Sequence, residues 1–194
     1  MRRISNNEAK GIQKRWRMLV LALLCMCVAP QLSAAPPANA PEYAVKSLMI
    51  KQFTAFLEWP DSKLAKDQDL VVGVLGNSPL FDEKDQIDGQ KVKTPPHTIA
   101  VRKVKTIEEA RDCHIVFISG NDKFTENAVK ELARQSVITV GETDAFEEAG
   151  GLIRFIIKSK YVRFKINAKQ AKLSGVTFSS QLLSLSYEDD NEEK

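Results

Sequence analysis

A chain of 194 residues, 43% of them hydrophobic, has room for one ordinary domain with a real core. Its formal charge of +3 comes from 28 Lys and Arg against 25 Asp and Glu, but residues 1–34 hold six of the bases and one acid, which leaves 22 against 24 for the rest. The basic surplus therefore sits in the N-terminal stretch alone and gives no ground for a nucleic-acid partner, which is excluded.

That stretch has the three-part plan of an export signal. Lys14, Arg15 and Arg17 precede an apolar run from Met18 to Val28, followed by Pro30 and the small residues Ser33, Ala34 and Ala35. The run is about a dozen residues, short of the roughly 20 that cross a bilayer. Leu24 rather than a small residue precedes Cys25, which argues against a lipid anchor. Cleavage is expected near Ala34 or Ala35, with Ala40 as the alternative, and the product is expected in the periplasm. Residues 1–34 are then a signal peptide, 35–41 a Pro/Ala linker, 42–187 the domain and 188–194 a charged, disordered tail.

The apolar positions Tyr43, Val45, Leu48, Met49, Phe53, Phe56 and Leu57 recur at spacings of three and four, so an amphipathic helix is predicted from Tyr43 to Trp59, stopped by Pro60. Leu70–Leu75 reads as a buried strand ending at Gly76-Asn77. Ser78-Pro79 is an N-cap with Pro at the first helical position. Thr98–Val104 is a second strand, Thr106 caps a short helix, Cys113–Ile118 is a third strand, 122–135 a helix and Val137–Val140 a fourth strand. Ile153–Ile157 and Tyr161–Ile166 form a hairpin around the Lys158–Lys160 turn. Asn167 caps a helix to Leu173, and Ser179 or Ser180 caps a last one through Leu185. Helix and strand alternate up to the hairpin. The predicted fold is a single α/β domain with a central, mostly parallel sheet of about six strands, helices on both faces and a C-terminal hairpin.

Residues that would carry catalysis are sparse. After the leader only His97 and His114 remain, and Cys113 is the single cysteine. Cys113 and His114 are adjacent on a strand and point to opposite faces, so they cannot form a dyad; a core thiol beside a partly exposed histidine is expected. Glu142 and Asp144 read as loop carboxylates that cap the chain rather than as an acid–base pair. Gly73 and Gly76 are too weak a pattern for a phosphate site, and Gly150-Gly151 supplies backbone freedom before the hairpin. No catalytic residue, metal site or cofactor is expected.

Two surfaces remain as candidates. The end of the opening helix carries Phe53, Phe56, Glu58 and Trp59, more apolar surface than one stripe needs. Phe56 and Glu58 are expected outside, against a partner, and Trp59 inside. The loops at the carboxyl ends of the parallel strands bring together Asn77, Ser78, Ser119, Asn121, Glu142 and Thr143, the usual position of a ligand crevice in an open α/β sheet.

Two blocks carry a resemblance. Tyr43-Ala-Val-Lys46 leads to Phe56-Leu-Glu-Trp59-Pro60. Ile138-Thr-Val-Gly-Glu-Thr-Asp144-Ala-Phe146 is followed by Gly150-Gly-Leu-Ile153, Val162-Arg-Phe164-Lys-Ile-Asn167 and Ser179-Ser-Gln-Leu-Leu183. Together with Cys113–Ser119 this ordered set resembles the YfiR family of exported proteins from Tyr43 to Leu185. The resemblance implies a periplasmic repressor that binds the periplasmic domain of an inner-membrane diguanylate cyclase. It also implies sequestration by an outer-membrane OmpA-like lipoprotein, and hence control of cyclic di-GMP and biofilm formation. A homodimer stays open. Well-known members carry several disulfide-forming cysteines; with Cys113 alone here, the resemblance does not extend to redox control. The alternative is a periplasmic small-ligand sensor.

Overall fold

The computed structural model describes residues 40–92, 97–120 and 123–187. The expected leader and linker up to residue 39, the expected tail 188–194 and Asn121 lie outside the described residues.

Helix α1 (Ala40–Thr54) is followed by a two-residue strand β1 (Leu57–Glu58) and by β2 (Leu70–Leu75). Two single-turn 3-10 segments, Pro79–Phe81 and Lys84–Gln86, lead to β3 (Ile99–Val104), α2 (Ile107–Arg111), β4 (Ile115–Ile118) and α3 (Lys123–Leu132). Then come β5 (Ile138–Gly141), α4 (Asp144–Glu148), β6 (Ile153–Lys158), β7 (Tyr161–Ile166), α5 (Ala168–Leu173), β8 (Thr177–Phe178) and α6 (Ser180–Ser184). The expected caps form: side-chain oxygens of Ser78, Thr106, Asn167 and Ser179 each accept from the second or third backbone N–H of their segment.

Six strands form one sheet in the order β3-β2-β4-β5-β6-β7, parallel throughout except for the β6–β7 hairpin. The chain goes from β2 outward to β3 and then returns to the other side of β2, so the topological switch lies between β2 and β4. All four residues of β4 are buried, which is why that strand reads as a continuous apolar run. Val72, Val74, Ile115, Phe117, Ile138 and Val140 face α1 and belong to the larger core cluster. Val116, Ile118, Leu132, Val137 and Phe146 belong to a second cluster on the opposite face, under α2–α4.

The opening helix is shorter than its periodicity predicts. It stops at Thr54, and the N–H of Phe56 turns back onto the carbonyl of Phe53 (2.9 Å). Pro60 favours an extended Trp59, and the extended stretch before it is captured by β8: Leu57 pairs with Phe178 and Glu58 with Thr177, antiparallel. At its other end α1 takes in Ala40 and Pro41, which the sequence suggests as linker.

The hairpin closes through Ser159 and Lys160, both in the left-handed region (φ 51° and 70°), a two-residue turn of the primed kind built without glycine. Its register aligns Arg154 with Lys165, Ile156 with Arg163 and Lys158 with Tyr161 on one face, while Phe155 pairs with Phe164 on the core face.

Candidate functional site

Phe53 stands in the core. Its ring packs on Phe155 (centroids 6.0 Å apart) and edge-on to Phe164 (4.9 Å), and it is 2% exposed. As a partner-contact residue it is therefore corrected: it holds α1 against the hairpin and offers no surface. Phe56 and Trp59 are half-buried and Glu58 is exposed. Helical spacing alone mis-sorts the rest of α1. The inward stripe is Lys46, Ser47, Ile50, Phe53 and Thr54, and the apolar Val45 and Leu48 lie outside at 44% and 47% exposure. Nothing in the apolar pattern separates them from the core; the signal is the buried Lys46, which takes an inward place.

Beneath Phe56–Trp59 lies a cavity of about 410 Å³ whose lining includes Thr54, Trp59, Leu64, Leu70, His97 and Thr177. His97 is buried, and its Nδ1 lies 2.6 Å from the carbonyl oxygen of Gln68. A carbonyl only accepts, so Nδ1 carries the proton and Nε2 is left as an acceptor. That Nε2 and the indole N–H of Trp59 are buried and have no hydrogen-bond partner among the described residues. Two residues that line the cavity thus carry a bare acceptor and a bare donor, each costly to leave unmatched.

The carboxyl ends of the strands are occupied from within. Ser119 Oγ donates to the carbonyl of Asn77 (3.0 Å), which ties the two switch-point loops together. Gly76 (φ +90°) lies so close to the Ser119 carbonyl that a Cβ there would meet it at 2.8 Å. Ser78 is buried and its Oγ caps Leu80. Thr143 Oγ1 donates to Gly120 O (3.3 Å) and accepts from Phe146 N (3.2 Å). Glu142 is committed as well: it accepts from the Tyr43 hydroxyl (2.9 Å) and from the buried ammonium of Lys46 (2.5 Å), which also reaches Glu42. Burial, reinforced by the Glu142 carboxylate, holds the Tyr43 hydroxyl protonated far above its usual range. Asp144 and Glu147 both pair with Arg154. The described part of the predicted crevice is brought together, but as a latch between α1 and β5.

Cys113 and His114 do point to opposite faces. Cys113 is buried in the cluster under α2–α4, and that burial raises its thiol pKa. His114 is also buried, which corrects the partly exposed ring expected from sequence. Its Nδ1 accepts from Val71 N–H (2.9 Å), its Nε2 donates to Lys63 O (3.0 Å), and Trp59 packs edge-on to it at 6.1 Å.

The YfiR/HmsC-like family profile matches residues 43–187, from the first turn of α1 to the segment beside β7. The chain belongs to this family. No curated protein matches it. In this YfiR/HmsC-like domain the matched span takes in both the Phe56–Trp59 wall and the Lys46–Glu142 latch. Among the described residues no cluster of His, Cys, Asp and Glu is placed to hold a metal ion, and no helix is long and apolar enough to cross a membrane.

Proposed function

We propose that this YfiR/HmsC-like chain is a periplasmic, non-enzymatic regulator. It binds the periplasmic domain of an inner-membrane diguanylate cyclase and holds it inactive. It thereby lowers cyclic di-GMP and biofilm formation, and an outer-membrane OmpA-like lipoprotein relieves the block by sequestering it. Family membership across the whole described domain carries this reading. A regulator of this kind acts by binding one state of its target better than the other. The residues suited to that are the exposed Val45 and Leu48 of α1, with the half-buried Phe56 and the exposed Glu58 beyond its end.

Phe56→Ala and Glu58→Ala test it. Loss of a half-buried aromatic anchor is expected to weaken cyclase co-purification about tenfold, on the order of 1.4 kcal/mol, and to raise cyclic di-GMP. The melting temperature should fall for Phe56→Ala, because Phe56 packs on the core, and stay nearly unchanged for Glu58→Ala. Normal repression by both folded variants removes these residues from the interface.

The cavity under Trp59 favours a second reading, a small-ligand sensor. A hydroxyl can accept from the indole N–H or donate to His97 Nε2, the two orphan atoms, and Leu64 and Leu70 suit an apolar ring. Benzyl alcohol is the simplest probe. It is expected to raise the melting temperature and quench Trp59 fluorescence, and His97→Phe should abolish both effects. An unchanged melting temperature at millimolar probe ends this reading.

A further inference from the structure

We propose that the groove between the start of α1 and the tip of the β6–β7 hairpin docks a protein segment that presents an apolar side chain flanked by carboxylates. The inference rests on the regulatory reading and assigns that segment to the cyclase.

The groove follows from where α1 stops covering the sheet. The pairs Phe155–Phe164 and Ile157–Val162 lie on the same face of the hairpin, two residues apart along each strand. Phe53 of α1 packs on both phenylalanine rings and seals the first pair. The second pair lies one step nearer the turn. Val162 is half-buried there, and Ile157 keeps 50% of its surface exposed. With Pro41 and Val45 from the first turns of α1, this pair lines a groove of about 450 Å³. Tyr161, 66% exposed, lines it too. Exposed apolar side chains gathered in one concavity with charged residues among them are characteristic of an interaction site.

Charge decides what fits. Lys160 and Arg163 also line the groove, and both are exposed. Neither forms an ion pair among the described residues, and the Arg163 guanidinium lies 5.9 Å from the centre of the Tyr161 ring. Glu42 is the acid that the described residues contribute to the lining, and it is taken up by the buried Lys46 ammonium. The groove therefore carries positive charge without compensation, and carboxylates on the occupant supply it. Such complementarity speeds encounter and fixes orientation. An anionic membrane surface has the charge but not the shape: a protruding side chain fills a concavity, and a flat bilayer does not.

Two altered chains test the proposal. One carries Lys160→Glu with Arg163→Glu; the other carries Ile157→Thr, which keeps a β-branched residue in the strand. Each full chain is passed over the immobilised, detergent-solubilised cyclase that co-purifies with the unaltered protein. The charge-reversed chain is expected to associate about tenfold more slowly at low salt, with a weaker dependence on ionic strength and an unchanged melting temperature. Ile157→Thr is expected to dissociate about tenfold faster while its association rate stays the same. Unaltered rates in both chains overturn the proposal and leave the regulatory reading standing. If no cyclase co-purifies with the unaltered chain, the regulatory reading ends and the proposal ends with it. A dimer of the unaltered chain that both substitutions dissolve makes a second copy the occupant, and binding to phosphatidylglycerol vesicles that both abolish makes it a membrane. Either result overturns the proposal.

Discussion

Burial of His114 couples stability to pH. Its Nδ1 has no room for a proton, because the Val71 N–H already points at it, and burial in the core lowers its pKa from 6.5 to about 4. Above pH 6.5 the ring is neutral whether the chain is folded or not, and it makes stability no more dependent on pH. Between 6.5 and 4 the unfolded chain takes up the proton and the folded one does not, so stability falls as pH drops through this window. The full loss is on the order of 3 kcal/mol. Urea midpoints measured from pH 7 to 4 should show the decline, and His114→Gln should flatten it while lowering stability at neutral pH. A slope unchanged in that variant assigns the effect elsewhere. Cys113 gives a second measurement at this scale. Buried and protonated, it should label with a thiol reagent only after denaturant is added; rapid labelling of the native protein, or a Cys113-linked dimer, contradicts that. Sequence order was enough to separate Cys113 from His114, because alternation in extended chain is local, although both lie just before β4, which starts at Ile115 rather than at Cys113. It could not show that both are buried, since the loop that covers His114 with Lys63 lies 51 residues away.

Elements with a strong local signal were legible. The capping residues, the buried strands β2, β4 and β5, and the hairpin with its turn all follow from residues within a few positions of one another. What failed depended on distant chain. Leu57-Glu58 reads as the end of a helix until Thr177-Phe178 pairs with it, and two residues carry no periodicity of their own. The glycines before the hairpin were only half legible. Gly150 does adopt a positive φ (91°), the freedom expected of it. Gly151 does something else: with Gly141 it flanks the Phe146 ring, and a Cβ on either would overlap that ring. The helix α4 that carries Phe146 can seat its one buried side chain only because both neighbours lack a Cβ. Gly151→Ala is therefore expected to cost about 2–3 kcal/mol or more, as overpacking of a filled site does, seen as a lower thermal midpoint. Gly89→Ala has nothing within 4 Å of the new Cβ and only its positive φ (71°) to offend, so it should cost less.

At the scale of the whole molecule, the order of helices and strands defined the sheet, whereas the candidate sites were legible only in part. Composition drew attention to Phe53, Phe56, Glu58 and Trp59 as one group, and packing divides them between core and surface. Topology alone singled out the strand-end loops as a candidate crevice, yet the hydrogen bonds that join Ser119 to Asn77 and Glu142 to Lys46 depend on side-chain reach that topology does not contain. The leader predicts a mature N-terminus between Ala34 and Pro41 in the periplasmic fraction; sequencing of exported material that still begins at Met1 would contradict it.

The small β1–β8 pair has a consequence for the order in which the domain is completed. Residues 70–141 contain β2 to β5 and can assemble from neighbours close in sequence. Helix α1 is different: it comes first, but its exit is fixed by Phe178 and Thr177, and Ser179 N–H closes onto Phe56 O (3.0 Å). Contacts separated by about 120 residues form late, because the intervening loop must be closed first. A chain emerging N-terminus first therefore leaves the exit of its opening helix unpaired until Thr177 and Phe178 arrive. A chain shortened before Phe178 is unable to finish the turn it began at Phe56.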